Sequence, residues 1–115
     1  MEKKLRLLVH TKGAPSWNMA VDEALFLSAQ KSVALPVLRV YTWGKRCVTY
    51  GCHVPYEKVR AHLSSIFSPK NRVPLVRRPT GGGIVIHDDD LTFSLCGDAR
   101  VFTGMSRAEN SYQHI

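Results

Sequence analysis

Three consecutive glycines, Gly81-Gly82-Gly83, stand between two short apolar runs, Val73 to Val76 and Ile84 to Ile86. Each glycine gives up backbone entropy and packs no side chain, so three in a row make a poor strand interior. They suit a corner where the chain turns sharply and a ligand approaches the backbone closely. Successive N–H groups in such a turn form an anion-binding concavity. Arg77-Arg78 precede the corner, and a guanidinium fork matches carboxylate or phosphate. Pro79-Thr80 forms the bend, and His87 ends the second apolar run. The stretch reads as a strand-loop-strand site for an anionic small molecule. A glycine-rich hairpin with exposed arginines is the competing reading. No Gly-Lys-Ser/Thr follows the glycines and no G-x-G-x-x-G opens a helix, so this is neither a P-loop nor a dinucleotide fingerprint.

The surrounding pattern predicts an α/β chain. Leu5 to His10 reads as a strand with Leu5, Leu7 and Val9 on an apolar face, and Thr11 to Pro15 as a turn. Ser16 is the expected N-cap of a helix running to about Lys31. Met19, Val21, Ala24, Leu25 and Ala29 form its apolar stripe, widened by Phe26 and Leu27. Asn18 and Asp22 share one face of that helix, with reach to a neighbouring loop. Val37 to Trp43 and Arg46 to Gly51 read as a hairpin closed at Gly44-Lys45. Its Trp43 and Tyr50 suit the core better than the wall of an apolar ligand pocket.

Pro55 to about Leu63 is a short helix with Val59 and Leu63 facing inward. Ser64 to Asn71 is a loop. Val73 to Arg78 is a strand entering the corner, and Arg78 is held extended by Pro79. Alternation places Arg77 and Arg78 on opposite faces. Ile84 to His87 and Leu91 to Leu95 are further strands, the last with Thr92, Ser94 and Cys96 on a half-polar face. Asp88-Asp89-Asp90 invites a magnesium reading, but a solvated turn accounts for it better.

The chain has 115 residues, enough for one modest core. Sixteen Lys and Arg against nine Asp and Glu give a net charge of +7, spread along the chain rather than blocked. No nucleic-acid motif accompanies it, and an acidic protein or a nucleotide fits as well. No apolar run reaches the ~18–20 residues of a membrane span, and no long apolar segment follows the charged N-terminus. Cys47, Cys52 and Cys96 lack CxxC spacing and read as reduced thiols of a cytoplasmic protein.

The whole run Arg77-Arg78-Pro79-Thr80-Gly81-Gly82-Gly83-Ile84-Val85-Ile86-His87-Asp88, followed by Leu91-Thr92-Phe93-Ser94, resembles the signature of the lipoate-protein ligase A and octanoyltransferase family. Asn18 to Leu25 resembles the first helix of that family. The resemblance implies a mixed, largely antiparallel sheet with packing helices, the fold shared by biotin-protein and lipoate-protein ligases, incomplete at the C-terminus. It implies attachment of a lipoyl or octanoyl group to a lysine of lipoyl-domain acceptor proteins. The ligase version uses ATP with Mg and passes through an acyl-adenylate. The transferase version takes the acyl group from acyl carrier protein without ATP. Arg78, Gly81, Gly82, Gly83, Ile84, Val85, Ile86 and His87 are the implied acyl-adenylate-binding residues. Of the two arginines, the resemblance picks Arg78.

Ser106-Arg107-Ala108-Glu109 is a capping box that announces a helix, with few residues left to complete it. Residues 1–115 are therefore expected to be the N-terminal portion of one catalytic domain. By the resemblance, its catalytic lysine or cysteine lies beyond residue 115. A non-catalytic acyl- or nucleotide-binding fragment is the alternative from a different class. A basic nucleic-acid binder, recognisable by strongly salt-dependent association, is a third.

Overall fold

The computed structural model describes residues 4–31 and 35–101. The capping box at Ser106 to Glu109 lies outside them. The elements run β1 (Arg6–Gly13), α1 (Pro15–Lys31), β2 (Val37–Trp43), β3 (Cys47–Tyr50), α2 (Tyr56–Ser64), β4 (Leu75–Arg77), β5 (Ile84–His87) and β6 (Thr92–Cys96). Short 3-10 turns occupy Pro69–Asn71 and Ala99–Val101. The α/β character and most element positions agree with the sequence.

The strands form two three-stranded sheets, ordered β1-β2-β6 and β4-β3-β5. Each contains one parallel and one antiparallel pairing. The hairpin expected from Val37 to Gly51 does not form, because β2 and β3 belong to different sheets. Gly44 explains the break. A Cβ at Gly44 would lie 2.7 Å from the Lys12 carbonyl oxygen, and its N–H donates to the Gly13 carbonyl at 2.9 Å. The bend is thus tied to the end of β1 rather than to a returning strand. All four residues of β3 are buried. Cys47 joins Met19, Tyr41 and Trp43 on one side. Val48 and Tyr50 join Val59 and Leu63 of α2 on the other. The inward direction expected of Val59 and Leu63 is observed.

Local boundaries shift for identifiable reasons. β1 runs on through the expected turn to Gly13, with Lys12 at φ 52° and a register irregularity between His10 and Gly13. The Lys12 N–H donates to Thr42 Oγ at 2.8 Å, which anchors this extension. α1 starts at Pro15, so Ser16 lies inside its first turn; a proline at the first helical position loses no hydrogen bond. Phe26 and Leu27 are exposed rather than part of the packed stripe.

The first sheet is turned inside out relative to its apolar pattern. Leu7 and Val9 are 59% and 63% exposed, and Phe93 is 49% exposed. Register places Leu7, Leu38 and Leu95 in one row and Val9, Val40 and Phe93 in the next, so these side chains share one open face. The opposite face carries Arg39 with Tyr41, Thr92 and Ser94, and it is this face that α1 covers. The physical reason is Arg39. Its side chain is fully buried and donates to the Asn18 carbonyl, Asn18 Oδ1 and Asp22 Oδ1, each at 2.8 Å. Its Nε donates to His10 Nδ1 at 3.0 Å. Asp22 also accepts from Tyr41 Oη at 2.7 Å and Ser94 Oγ at 2.8 Å. The helix therefore docks through its Asn18/Asp22 face onto a buried charge.

A contiguous apolar face of this kind favours association. The isolated chain should bind a hydrophobic dye and self-associate as concentration rises, and Val9→Glu with Phe93→Lys should suppress both. Sedimentation and dye fluorescence read this directly; a monomeric, dye-silent wild type would contradict it.

Candidate functional site

β4 and β5 flank β3 and bring both ends of the glycine corner against it. Arg78 N–H donates to the Tyr50 carbonyl at 2.8 Å, Gly51 N–H to the Gly83 carbonyl at 3.1 Å, and Cys52 N–H to the Thr80 carbonyl at 2.9 Å. The Arg78 guanidinium closes the corner from inside. It donates to the Gly81 and Gly83 carbonyls at 3.0 and 2.9 Å and to Thr49 Oγ at 2.9 Å. The carbonyls of Thr80, Gly81 and Gly83 are thus all turned toward protein donors. No backbone N–H of Gly81, Gly82 or Gly83 donates to an acceptor among the described residues. All three glycines are exposed.

The three glycines are not equivalent. Only Gly82 adopts the left-handed backbone, at φ 101°. A Cβ on Gly83 would meet open space, and one on Gly81 would only touch the His53 ring at 4.0 Å. Their bareness answers to nothing inside the fold and leaves the backbone accessible. Gly51 is different, because a Cβ there would run into the backbone of Gly81 and Gly82.

Alternation separates the two arginines as expected. Arg78 is partly buried, and burial lowers its pKa from the ordinary value. Arg77 is exposed, with its guanidinium carbon 5.6 Å from the centre of the Tyr50 ring. Ile84 packs against the α2 cluster, whereas Val85 and Ile86 are exposed.

His87 is only 6% exposed, and both ring nitrogens are engaged. Nε2 lies 2.9 Å from Thr49 Oγ and Nδ1 lies 2.8 Å from Asp90 Oδ2. Trp43 stacks on the ring at 4.2 Å, which places Trp43 in the core beside the site rather than on a pocket wall. Tyr50 is likewise core. Asp90 accepts in addition from Thr92 Oγ and from the Asp88 N–H, both at 2.9 Å. Burial alone would raise the Asp90 pKa, but the hydrogen bonds from His87, Thr92 and Asp88 together hold it below the ordinary carboxylate value.

The three aspartates do not converge on a magnesium site. Asp90 is committed to His87 and Thr92, and Asp88 pairs with Arg46 at 3.2 Å. No group of three His, Cys, Asp or Glu side chains able to hold a metal occurs among the described residues. Cys47, Cys52 and Cys96 are free thiols. Burial, with the nearby Asp90 charge, pushes Cys47 up to about 11, far from a ready nucleophile.

Sequence reasoning missed Thr49, Gly51 and the structural use of Asp90. Thr49 becomes visible only with the strand register. It stands opposite Val85, one diagonal step from His87. A hollow of about 480 Å³ between α2 and the Phe67 to Leu75 segment lies apart from the corner.

With this geometry in hand, comparison with known proteins is decisive. The model of the lipoyl protein ligase A/B catalytic domain matches residues 14–113. The chain belongs to that family. Among curated relatives, the octanoyltransferase LipM of Oceanobacillus iheyensis is 39% identical over 95 residues, covering 83% of this chain and 34% of the relative. A bi-partite lipoate protein ligase solved with its E2 lipoyl domain from Thermoplasma acidophilum is 35% identical at a TM-score of 0.66. That match covers 82% of this chain and 36% of the solved one. A lipoate-protein ligase A bound with ATP is 36% identical at a TM-score of 0.64, over 80% and 36%. The chain spans about a third of the length of the relatives it matches. Among the described residues no helix is long and apolar enough to cross a membrane.

Proposed function

We propose that this chain supplies the acyl-holding part of an enzyme site that attaches a lipoyl or octanoyl group to a lysine of a lipoyl-domain protein. The observation that carries the reading is the polarity of the glycine corner. Its Thr80, Gly81 and Gly83 carbonyls accept from Arg78 and from the Gly51 to Cys52 backbone, whereas its glycine N–H groups have no acceptor among the described residues and stand on an exposed backbone with no side chains. Such an array binds an anion and stabilises negative charge developing on a carbonyl oxygen. Membership of the lipoyl protein ligase A/B family supports reading that charge as part of an acyl substrate.

In the ligase version the substrate is an acyl-adenylate made from ATP. The lysine amine attacks the activated carbonyl carbon, a C–N bond forms, and the bond to the phosphate oxygen breaks. AMP leaves with the electron pair, and the amine loses a proton. Holding phosphate and carbonyl carbon against one backbone arc makes the attack effectively intramolecular. The Gly81 to Ile86 segment would face the acyl-adenylate. Arg78, with the donors it does not spend on Thr49, Gly81 and Gly83, would offset the phosphate charge.

A second reading, transfer from an acyl thioester without ATP, draws support from the octanoyltransferase relatives. The same corner would then hold the thioester carbonyl oxygen, with acyl carrier protein as donor. The net charge of +7 suits an acidic acceptor domain.

Isothermal titration of the chain with a non-hydrolysable lipoyl-adenylate analogue, and in parallel with an octanoyl thioester, tests the reading. Saturable binding of one of them is expected. Arg78→Ala should weaken it at least ~10-fold more than Arg77→Ala, since a charge-assisted hydrogen bond is worth ~1.5–3 kcal/mol. Preference for the adenylate supports the ligase route, and preference for the thioester the transferase route. Equal effects of the two arginine variants, or no binding of either ligand, would overturn the assignment of the corner as the acyl site.

A further inference from the structure

Two groups that can only donate hydrogen bonds, the Trp43 indole and the Arg78 guanidinium, stand at opposite ends of one chain of side chains. From one end, Trp43 Nε1–H donates to Thr92 Oγ at 2.9 Å, and the Thr92 hydroxyl donates to Asp90 Oδ2 at 2.9 Å. From the other, Arg78 Nη1–H donates to Thr49 Oγ at 2.9 Å. Thr49 Oγ and His87 Nε2 are 2.9 Å apart, and His87 Nδ1 and Asp90 Oδ2 are 2.8 Å apart. The carboxylate of Asp90 only accepts.

These capacities fix every proton between them. Asp90 requires the His87 proton on Nδ1. The Thr49 oxygen is taken by Arg78, and its own hydrogen has the bare Nε2 as acceptor. An Nε2-protonated ring would leave the Thr49 hydroxyl hydrogen without an acceptor in a fully buried site. The stacked Trp43 holds the ring plane.

We propose that Thr49, His87 and Asp90 are positioning residues for the glycine corner: Asp90 holds the His87 proton on Nδ1, the bare Nε2 takes the Thr49 hydroxyl hydrogen, and the hydroxyl so oriented presents its oxygen lone pairs to Arg78. Arg78 held in this way reaches the Gly81 and Gly83 carbonyls and sets which way the N–H groups point. His87 thus acts through Thr49 and Arg78, with no ring nitrogen left for a ligand. The same corner underlies the proposed acyl site, but the relay is tested without any ligand, so either idea can fail alone.

The test is nitrogen-resolved NMR of the His87 imidazole and the Arg78 guanidinium in the full chain at neutral pH. A protonated Nδ1 and a bare Nε2 are expected. Thr49→Ser, which keeps the hydroxyl, should leave guanidinium proton exchange within about twofold of wild type. Thr49→Val, which keeps the shape and deletes the hydroxyl, should speed it by ~10-fold or more, the size of one charge-assisted hydrogen bond. Asp90→Ala should move the ring proton to Nε2. A wild-type ring protonated at Nε2 would overturn the proposal by itself, even if Thr49→Val failed to fold. Unchanged guanidinium exchange in a folded Thr49→Val variant would overturn it equally.

Discussion

Arg39→Ala should unfold most of the chain under conditions where the wild type is folded. The guanidinium is completely buried and joins β1, α1 and β2 in one constellation, through His10, Asn18 and Asp22. Its carbon also lies 3.9 Å from the centre of the Tyr41 ring. Removing one partner of a buried ion pair leaves the other charge without compensation, at about 3–5 kcal/mol. That is a large part of the ~5–15 kcal/mol that holds an ordinary domain together. Asp22 would keep its bonds from Tyr41 and Ser94 but lose its countercharge. Arg39→Lys should fall in between, because one ammonium cannot serve the spread of acceptors that the planar fork reaches. Urea denaturation followed by circular dichroism measures both. An Arg39→Ala midpoint corresponding to less than ~1 kcal/mol of loss, below the usual cost of a single hydrogen bond to a charged group, would show that the constellation is dispensable.

Gly51→Ala should leave the chain folded and abolish the corner's ligand binding. The added methyl would lie 2.9 Å from the carbonyl carbons of Gly81 and Gly82. Those are backbone atoms, so the corner itself must move away from β3. The Gly51 N–H bond to Gly83 would go with it. A displacement of ~1 Å in a positioning element costs on the order of 100-fold. Gly83→Ala is the companion, since its methyl enters open space and should not disturb the fold at all. If ligand lies over the corner, Gly83→Ala weakens binding with an unchanged denaturation midpoint. Titration with the adenylate analogue or thioester, beside amide exchange at Thr80 to Gly83, separates the two mechanisms. Wild-type affinity in Gly51→Ala would mean that the corner is not where the ligand sits.

The corner was legible because its signal is local. Glycines, the proline bend and two apolar runs specify a turn between strands without knowledge of the rest. Val59 and Leu63 were legible for the same reason, being one helical step apart on one face. Strand pairing is not local, and the hairpin reading failed there. Alternation over Val37 to Gly51 says that two strands exist, not which sheet each joins. The reversed faces of β1 and β6 were hidden for a different reason. Leu7, Val9 and Phe93 look like an inward stripe until Arg39 is known to be buried, and an arginine in a strand is ordinarily solvated. Asn18 and Asp22 carried the clue, four residues apart on one helix face, but their expected partner was a neighbouring loop rather than a buried arginine. Thr49 and Asp90 gave no signal of their own, since their roles exist only once β3 and β5 are in register.

The second sheet is nested inside the first. β3, β4 and β5 all fall between β2 and β6 in the chain, and the Trp43 to Thr92 hydrogen bond spans 49 positions. Closing so long a flexible loop carries an entropic cost that grows with the logarithm of its length. Once β3, β4 and β5 have paired, the segment between β2 and β6 is no longer slack chain but a folded insert with its ends already drawn together. The expected order of assembly puts β6 last, joining once the inner sheet has shortened its connection to β2 and carrying Ser94 to Asp22. A break placed in the Ser64 to Asn71 loop should therefore slow the joining of β6 more than it slows the β1-α1-β2 unit, although neither segment touches the cut.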